Sequence, residues 1–151
     1  MIKIFSHLRS LKTGIHNLIK YFPVIYNDRN WDHYYIYSIW YKKFDNMEKF
    51  FNSDDSWTAK SEEVAEQIHE IKLLCEKLMK DDYLKEALKP YEEKYGDVEL
   101  FKIVGNKLEY NVDDETVSAH RECGKLADQN REEDKNKLFD LLKLNIENFW
   151  D

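Results

Sequence analysis

The sequence contains little glycine, proline or cysteine. Four glycines and two prolines among 151 residues supply too little turn chemistry for an all-β sandwich, whereas long charged segments with regularly spaced leucines are typical of helices. The two cysteines, Cys75 and Cys123, lie among apolar residues at helical spacing and form no CxxC motif. This usage favours free thiols in a reducing compartment over a disulfide.

Long apolar runs are also missing. Lys3, Arg9 and Lys12 interrupt every apolar run near the start of the sequence, so there is neither a secretory signal core nor a span of about 20 apolar residues. We therefore expect a soluble, intracellular protein without membrane insertion.

Acidic residues are absent from positions 1–27. These positions carry a charge of +4. Because the net charge of the chain is −7, the remaining residues carry −11. Apolar residues recur there at steps of three and four, at Ile4, Leu8, Leu11, Ile15, Leu18 and Phe22. The spacing predicts a basic amphipathic helix over residues 1–22 that ends near Pro23. It could dock on a helical bundle, lie on a membrane surface or bind an anion.

Aromatic residues concentrate in positions 31–51, which hold nine of the 22 in the chain. The early half of this segment is apolar nearly all round, which predicts the central and most enclosed helix of a small bundle. Its expected inner stripe consists of Ile36, Trp40, Phe44, Met47 and Phe51.

The remaining segments predict further helices and one small β element. A third helix runs to about Lys80, and a fourth ends at Gly96 after a kink or split at Pro90. Residues 98–112 predict a hairpin or loop excursion, and residues 114–150 a helical region of one or two helices. The third helix should bury Val64, Ile68, Ile71, Cys75 and Leu78. The predicted fold is mainly α, a single-domain bundle of about five helices over residues 1–151.

Catalytic and metal-binding signatures are incomplete. Glu66 and His69 form one ExxH pair, whereas di-metal bundles need two such pairs and two further glutamates. Glu63 and Glu66 match half of the paired ExxE and ExxD motifs of all-α nucleotide pyrophosphohydrolases, and no ExxD follows. Neither a GxSxG motif nor a phosphate-binding glycine loop is present. We predict no catalytic residue, metal ligand or cofactor, with a metal-dependent nucleotide hydrolase as the remaining enzymatic alternative.

Aromatic, basic and imidazole side chains converge around the start of the aromatic helix. Aromatic faces stack on bases and Arg or Lys pairs with phosphate, so this composition predicts a nucleotide-type ligand. The alternative is that the rings form core and that the arginine pairs with a neighbouring aspartate. The net acidity argues against broad binding of duplex nucleic acid. The candidate ligand-binding residues are Arg29, Trp31, Asp32, His33, Tyr34, Tyr37 and Lys43.

Several motifs resemble those of a family of small, uncharacterised tailed-bacteriophage proteins. Residues Phe22–Asp32 fit its F-P-x-I-(W/Y)-x-D-R-x-W-D motif, and Met47–Phe51 fit its M-E-K-(F/Y)-F helix end. Asp81–Tyr83 matches its D-D-Y element, and Trp150-Asp151 matches its terminal W-D. The resemblance implies phage origin and action in the host cytoplasm, and it implies no activity.

Small phage proteins without catalytic motifs often act by stoichiometric binding, so the resemblance suggests counter-defence or host takeover. One form of this hypothesis is sequestration of a nucleotide-type ligand by the aromatic and basic patch, with a homo-oligomer interface left open. The other is inhibition of a host protein through acidic faces of the third helix and the C-terminal region, as a nucleic-acid mimic.

Overall fold

A computed structural model describes residues 2–56, 59–96 and 100–150. Over these residues the chain is mainly helical, as predicted, with five α-helices, one antiparallel hairpin and a final turn of 3-10 helix at Asn148–Trp150. The elements are α1 (Ile2–Asn27), α2 (Tyr34–Phe51), α3 (Ser61–Lys80), α4 (Tyr83–Tyr95), β1 (Phe101–Val104), β2 (Lys107–Tyr110) and α5 (Asp114–Asn145). No described helix has both the length and the hydrophobicity needed to cross a membrane.

The chain divides into two compact units. The first contains residues 1–79 and 141–151, hence α1, α2, α3 and the end of α5. The second contains residues 80–140, hence α4, the hairpin and most of α5.

Helix α1 is longer than predicted, because it continues through Pro23 to Asn27. Proline removes one backbone donor, and here the helix needs only one further turn beyond it. The Asn27 side-chain amide donates to the Pro23 carbonyl at 3.0 Å, which satisfies an acceptor near the helix end.

The core of the first unit lies mainly on α3, not on α2 as predicted. Six side chains of α3 are buried, including the predicted Ile68, Ile71, Cys75 and Leu78, against four of α2. Val64, also predicted to be buried, is half-buried. The predicted inner stripe of α2 is wrong at Ile36, and Trp40 of the same stripe is only half-buried. Ile36 is 52% exposed and the adjacent Tyr37 is buried. Neighbouring residues differ by about 100° around a helix, so an aromatic run does not determine which of them faces inward.

The second unit packs α4 against α5. The Tyr83 hydroxyl donates to the Asp134 carboxylate at 2.8 Å, and the Tyr91 ring meets His120 edge to face at 5.5 Å. Pro90 lies inside α4 and does not split it, so this form of the prediction is wrong. Gly96 stops the helix, as predicted, with a φ of +79°. Helix α5 is one continuous helix, and the Asp113 carboxylate caps it by accepting from the Thr116 amide at 2.8 Å.

The predicted hairpin is present. Its strands pair Phe101 with Tyr110 and Val104 with Lys107, and Gly105 opens the two-residue turn with a φ of +64°. The Arg121 guanidinium donates to the Tyr110 hydroxyl at 3.2 Å, so β2 is tied to α5. Val98 and Glu99 of the predicted hairpin segment, and Asp151 of the terminal motif, lie outside the described residues.

Candidate functional site

The segment between α1 and α2 is held by its own side chains. The Arg29 guanidinium donates through Nη1 to the carbonyls of Asn27 at 3.2 Å and Asp28 at 2.8 Å. The Asp32 carboxylate accepts from the Tyr34 amide at 2.9 Å and so closes an Asx turn just before α2. Helix α2 begins at Tyr34, three residues later than the predicted Trp31, with His33 as its N-cap residue and Asp32 in the turn before it.

An open cavity of about 380 Å³ lies at this corner of the first unit. Its lining consists of the six residues from Asp28 to His33 together with Tyr35, Ile36 and Ile39. Four of the seven predicted site residues, Arg29, Trp31, Asp32 and His33, therefore share one cavity.

Trp31 is the most exposed large apolar residue of this region, with 84% of its surface accessible. An indole that stays in water offers a flat face for stacking without displacing any packed neighbour. The exposure arises because Trp31 lies in the turn before α2 instead of inside the helix.

The other three predicted site residues lie elsewhere. Tyr34 is outside the cavity lining and packs edge to face on Tyr35 at 5.1 Å. Tyr37 is buried outside the cavity lining, and its ring makes edge contacts at 6.1 Å to both His33 and Trp40.

Lys43 lines a second cavity of about 300 Å³ in the same unit. The walls of this cavity are almost entirely apolar and include Trp40, Phe44 and Phe149, with Phe44 and Phe149 in edge contact at 6.4 Å. Lys43 is thus separated from the Arg29 cavity and belongs to a hydrophobic one.

The ExxH pair does not form a metal site. Among the described residues, no group of three or more His, Cys, Asp or Glu side chains is placed to hold a metal ion. His69 instead meets Glu48 of α2, with Nδ1 and Oε1 at 2.7 Å, while Glu66 is exposed.

An ion network joins α2 and α3, and its members are Asp45, Glu48, His69 and Lys72. Glu48 pairs with both His69 and Lys72, and Lys72 also lies 3.9 Å from Asp45. Burial alone would raise the pKa of Glu48, but the hydrogen bonds from Lys72 and His69 outweigh it and lower the pKa. The bond to Glu48 raises the pKa of Lys72 in turn.

Sequence reasoning missed this network, because Glu48 lies 21 residues from its His69 partner. The available signal was the placement of Glu48 and Asp45 one turn apart on a helix that otherwise buries aromatics. Cys75 is not an activated nucleophile, because burial raises the pKa of its thiol to about 12.

Comparisons with protein-family models, with curated proteins and with solved structures give no match to this chain. Functional inference therefore depends on the site itself.

Proposed function

We propose that this is a non-catalytic binding protein that sequesters a planar, anionic ligand of the nucleotide type in the Arg29 cavity. The observation that carries the proposal is that Arg29, Trp31 and His33 line one open cavity in which Trp31 is 84% exposed. A volume of about 380 Å³ falls within the usual range for small-molecule sites.

The proposed contacts divide between the base and the phosphate. The Trp31 indole stacks on the base, because a freely accessible aromatic face tolerates any planar heterocycle. Arg29 uses Nη1 to hold the carbonyls at the end of α1, and its planar fork carries further donors on Nε and Nη2. These donors meet phosphate or another oxyanion, as arginine does elsewhere.

Asp32 has a positioning role in this proposal. Its carboxylate is engaged with the Tyr34 amide, so it orients the turn that carries Trp31 and His33. Its negative charge also disfavours a highly charged ligand at that side of the cavity, so a nucleotide with few phosphates fits better than a triphosphate.

The resemblance to small tailed-phage proteins suggests a biological role for the proposed binding. A phage protein that removes a nucleotide signal by stoichiometric binding would act in counter-defence or host takeover in the host cytoplasm. This role requires tight binding and no turnover.

The experiment uses a panel of mononucleotides, dinucleotides and cyclic nucleotides, with tryptophan fluorescence and isothermal titration calorimetry on the full chain. We expect a ligand that binds at one site per chain and raises the melting temperature. Trp31→Leu should weaken binding by about 5- to 100-fold, which corresponds to the loss of one stacking contact.

The matched control is Tyr34→Leu, which removes an exposed aromatic residue next to the cavity but outside its lining. It should bind as wild type. Equal affinity of Trp31→Leu and wild type, or the absence of any bound nucleotide in protein isolated from infected cells, would refute the proposal.

A second candidate, inhibition of a host protein, is supported by the exposed glutamates Glu62 and Glu66 on one face of α3. Helix α5 supports it less, because Glu122 and Glu132 pair with lysines of the same helix. A pull-down from host lysate should lose its captured protein with the double variant Glu62→Lys/Glu66→Lys and keep it with Glu92→Lys/Glu93→Lys on α4. Capture that is equal for all three chains would exclude this candidate.

A further inference from the structure

The apolar side of α1 faces water. Every residue from 7 to 20 is exposed, on all sides of the helix. The large apolar side chains there are between half and seven-tenths accessible, at Leu8, Leu11, Ile15, Leu18, Ile19, Phe22, Ile25 and Tyr26. The first unit therefore does not cover this stripe, in contrast to the predicted docking of the helix on a bundle.

The spacing of the stripe is that of a coiled coil. Its central residues, here called the α1 seam, are Leu8, Leu11, Ile15, Leu18, Phe22 and Ile25, which alternate steps of three and four. An average step of 3.5 residues keeps one narrow face in register with a partner helix over the whole length. Ile19 and Tyr26 widen the seam on one side.

The charges of α1 favour a helix over a membrane as the occupant. At about 100° per residue, Arg9 and Lys20 lie on the side of α1 opposite the seam, and Lys12 is the one basic residue between positions 8 and 25 that lies nearer to it. An interfacial membrane helix is favoured when its basic residues reach the headgroups beside the apolar face, and residues on the far side do not. In a helix pair the same residues point to water and cost nothing.

We infer that the α1 seam binds the α1 seam of a second copy of this chain, in the antiparallel orientation. Eight large side chains at these exposures supply on the order of 800 Å² per chain, the size of a standard stable interface. Between positions 8 and 25, Lys12 is the one basic residue that flanks the seam, so like charges do not line up along this span.

Charge complementarity selects the antiparallel orientation. Residues 28–151 carry −11 and follow the C-terminal end of α1, so a parallel pair would bring two strongly negative segments to the same end. An antiparallel pair separates them by the length of a 26-residue helix, roughly 39 Å, which exceeds several Debye lengths at physiological salt. It also brings the +4 segment of each chain toward the acidic segment of the other.

The test is the mass of the full chain in solution by sedimentation equilibrium and light scattering. We expect twice the chain mass of 18.3 kDa at micromolar concentration. Leu11→Asp/Leu18→Asp should weaken dimerisation at least 100-fold and yield the monomer mass. Ser10→Asp/Asn17→Asp adds the same charge at the adjacent exposed positions and should remain dimeric.

Circular dichroism distinguishes loss of the dimer from loss of the fold. The Leu11→Asp/Leu18→Asp chain should still unfold cooperatively. Small-angle X-ray scattering reports the orientation, since an antiparallel pair holds the two acidic segments farther apart and should give a larger radius of gyration than a parallel pair. A wild-type chain that is monomeric at 100 µM would overturn the inference. So would a monomer that sediments with phosphatidylglycerol vesicles through the same two leucines, which would assign the seam to a lipid surface.

This inference is independent of the proposed ligand site. The α1 seam contains none of the residues that line the Arg29 cavity. The Leu11→Asp/Leu18→Asp monomer can therefore be titrated with the same nucleotides, and the two proposals can fail separately.

Discussion

The Glu48 carboxylate on α2 lies 2.7 Å from Nδ1 of His69 on α3, and it also accepts a hydrogen bond from Lys72. The side chains of Glu48 and Lys72 are 16% and 15% accessible, whereas His69 is half exposed. One poorly accessible carboxylate thus joins two helices through two donors. Loss of its charge leaves Lys72 near Asp45 alone, at 3.9 Å.

Glu48→Gln should destabilise the protein by about 1–3 kcal/mol, because a charge-assisted bond to a poorly accessible lysine is replaced by a weaker neutral one. Urea unfolding at pH 7 measures the loss. Glu66→Gln is the matched control, since Glu66 is exposed on α3, and it should change stability by less than about 0.5 kcal/mol. Equal effects of the two variants would show that the network contributes no stability.

The stabilisation by Glu48 should disappear in acid. Burial opposes ionisation of Glu48, but the bonds from Lys72 and His69 prevail and hold its pKa below the ordinary value of 4.5. A carboxyl group with a lowered folded-state pKa stabilises fully above its unfolded pKa, and the contribution is lost as the pH falls through the folded pKa. The stability difference between wild type and Glu48→Gln should therefore be present at pH 7 and shrink as the pH falls below about 4. A difference that persists at pH 2 would contradict this account.

Two buried tyrosines should respond oppositely to loss of the hydroxyl. The Tyr83 hydroxyl donates to Asp134, whereas the Tyr91 hydroxyl has no hydrogen-bond partner among the described residues. Tyr83→Phe should cost about 1 kcal/mol, and Tyr91→Phe should be neutral or stabilise by up to about 1 kcal/mol. Thermal unfolding of the two variants side by side provides the test, and each serves as the control for the other. A cost of 1 kcal/mol or more for Tyr91→Phe would reveal a bond that the structure lacks.

Phe149 should be critical for the first unit. It is 1% accessible, contacts the Phe44 ring edge to face and lines the apolar cavity. Phe149→Ala should cost about 3–5 kcal/mol, because it removes a large buried ring and enlarges a cavity that cannot collapse fully. Phe139→Ala, at a site that is 48% exposed, should cost less than about 1 kcal/mol. Denaturation midpoints that coincide for the two variants would contradict the assignment of Phe149 to the core.

Arg29→Ala should loosen the end of α1 without unfolding the protein. The guanidinium satisfies the carbonyls of Asn27 and Asp28, which otherwise have only water as partner. The Asp28 amide, which donates to the Ile25 carbonyl at 3.2 Å, should exchange its hydrogen several-fold faster in the variant. Exchange by NMR measures this change, and Lys12→Ala should leave the rate unaltered. Unchanged exchange would show that Arg29 is free to serve a ligand with its whole guanidinium.

Local chemistry made several features readable from the sequence. The buried stripe of α3 follows from regular steps of three and four, and the hairpin follows from glycine at the first turn position between alternating strands. The same holds for the Gly96 stop, because it depends on one residue and the backbone within one turn of it. These interactions span only a few residues, so residue type and spacing determine them.

The candidate site was predictable only in part. Arg29, Trp31, Asp32 and His33 share a cavity because they are consecutive along one short connection. Tyr37 and Lys43 separate from them because α2 rotates each residue by about 100°, which turns one into the core and the other toward a different cavity. Composition alone does not distinguish an aromatic residue in a pocket from one in a core.

The sequence by itself determined the presence of the helices, the hairpin turn and the heptad spacing of α1, all of which depend on neighbours within about seven residues. Only the tertiary structure decided that Tyr37 faces inward, that Glu48 meets His69 and Lys72, and that the α1 seam remains exposed to water. These depend on which surfaces meet across tens of residues. A periodic apolar stripe indicates that one side of a helix is suited to burial, but whether another surface covers it depends on the tertiary structure.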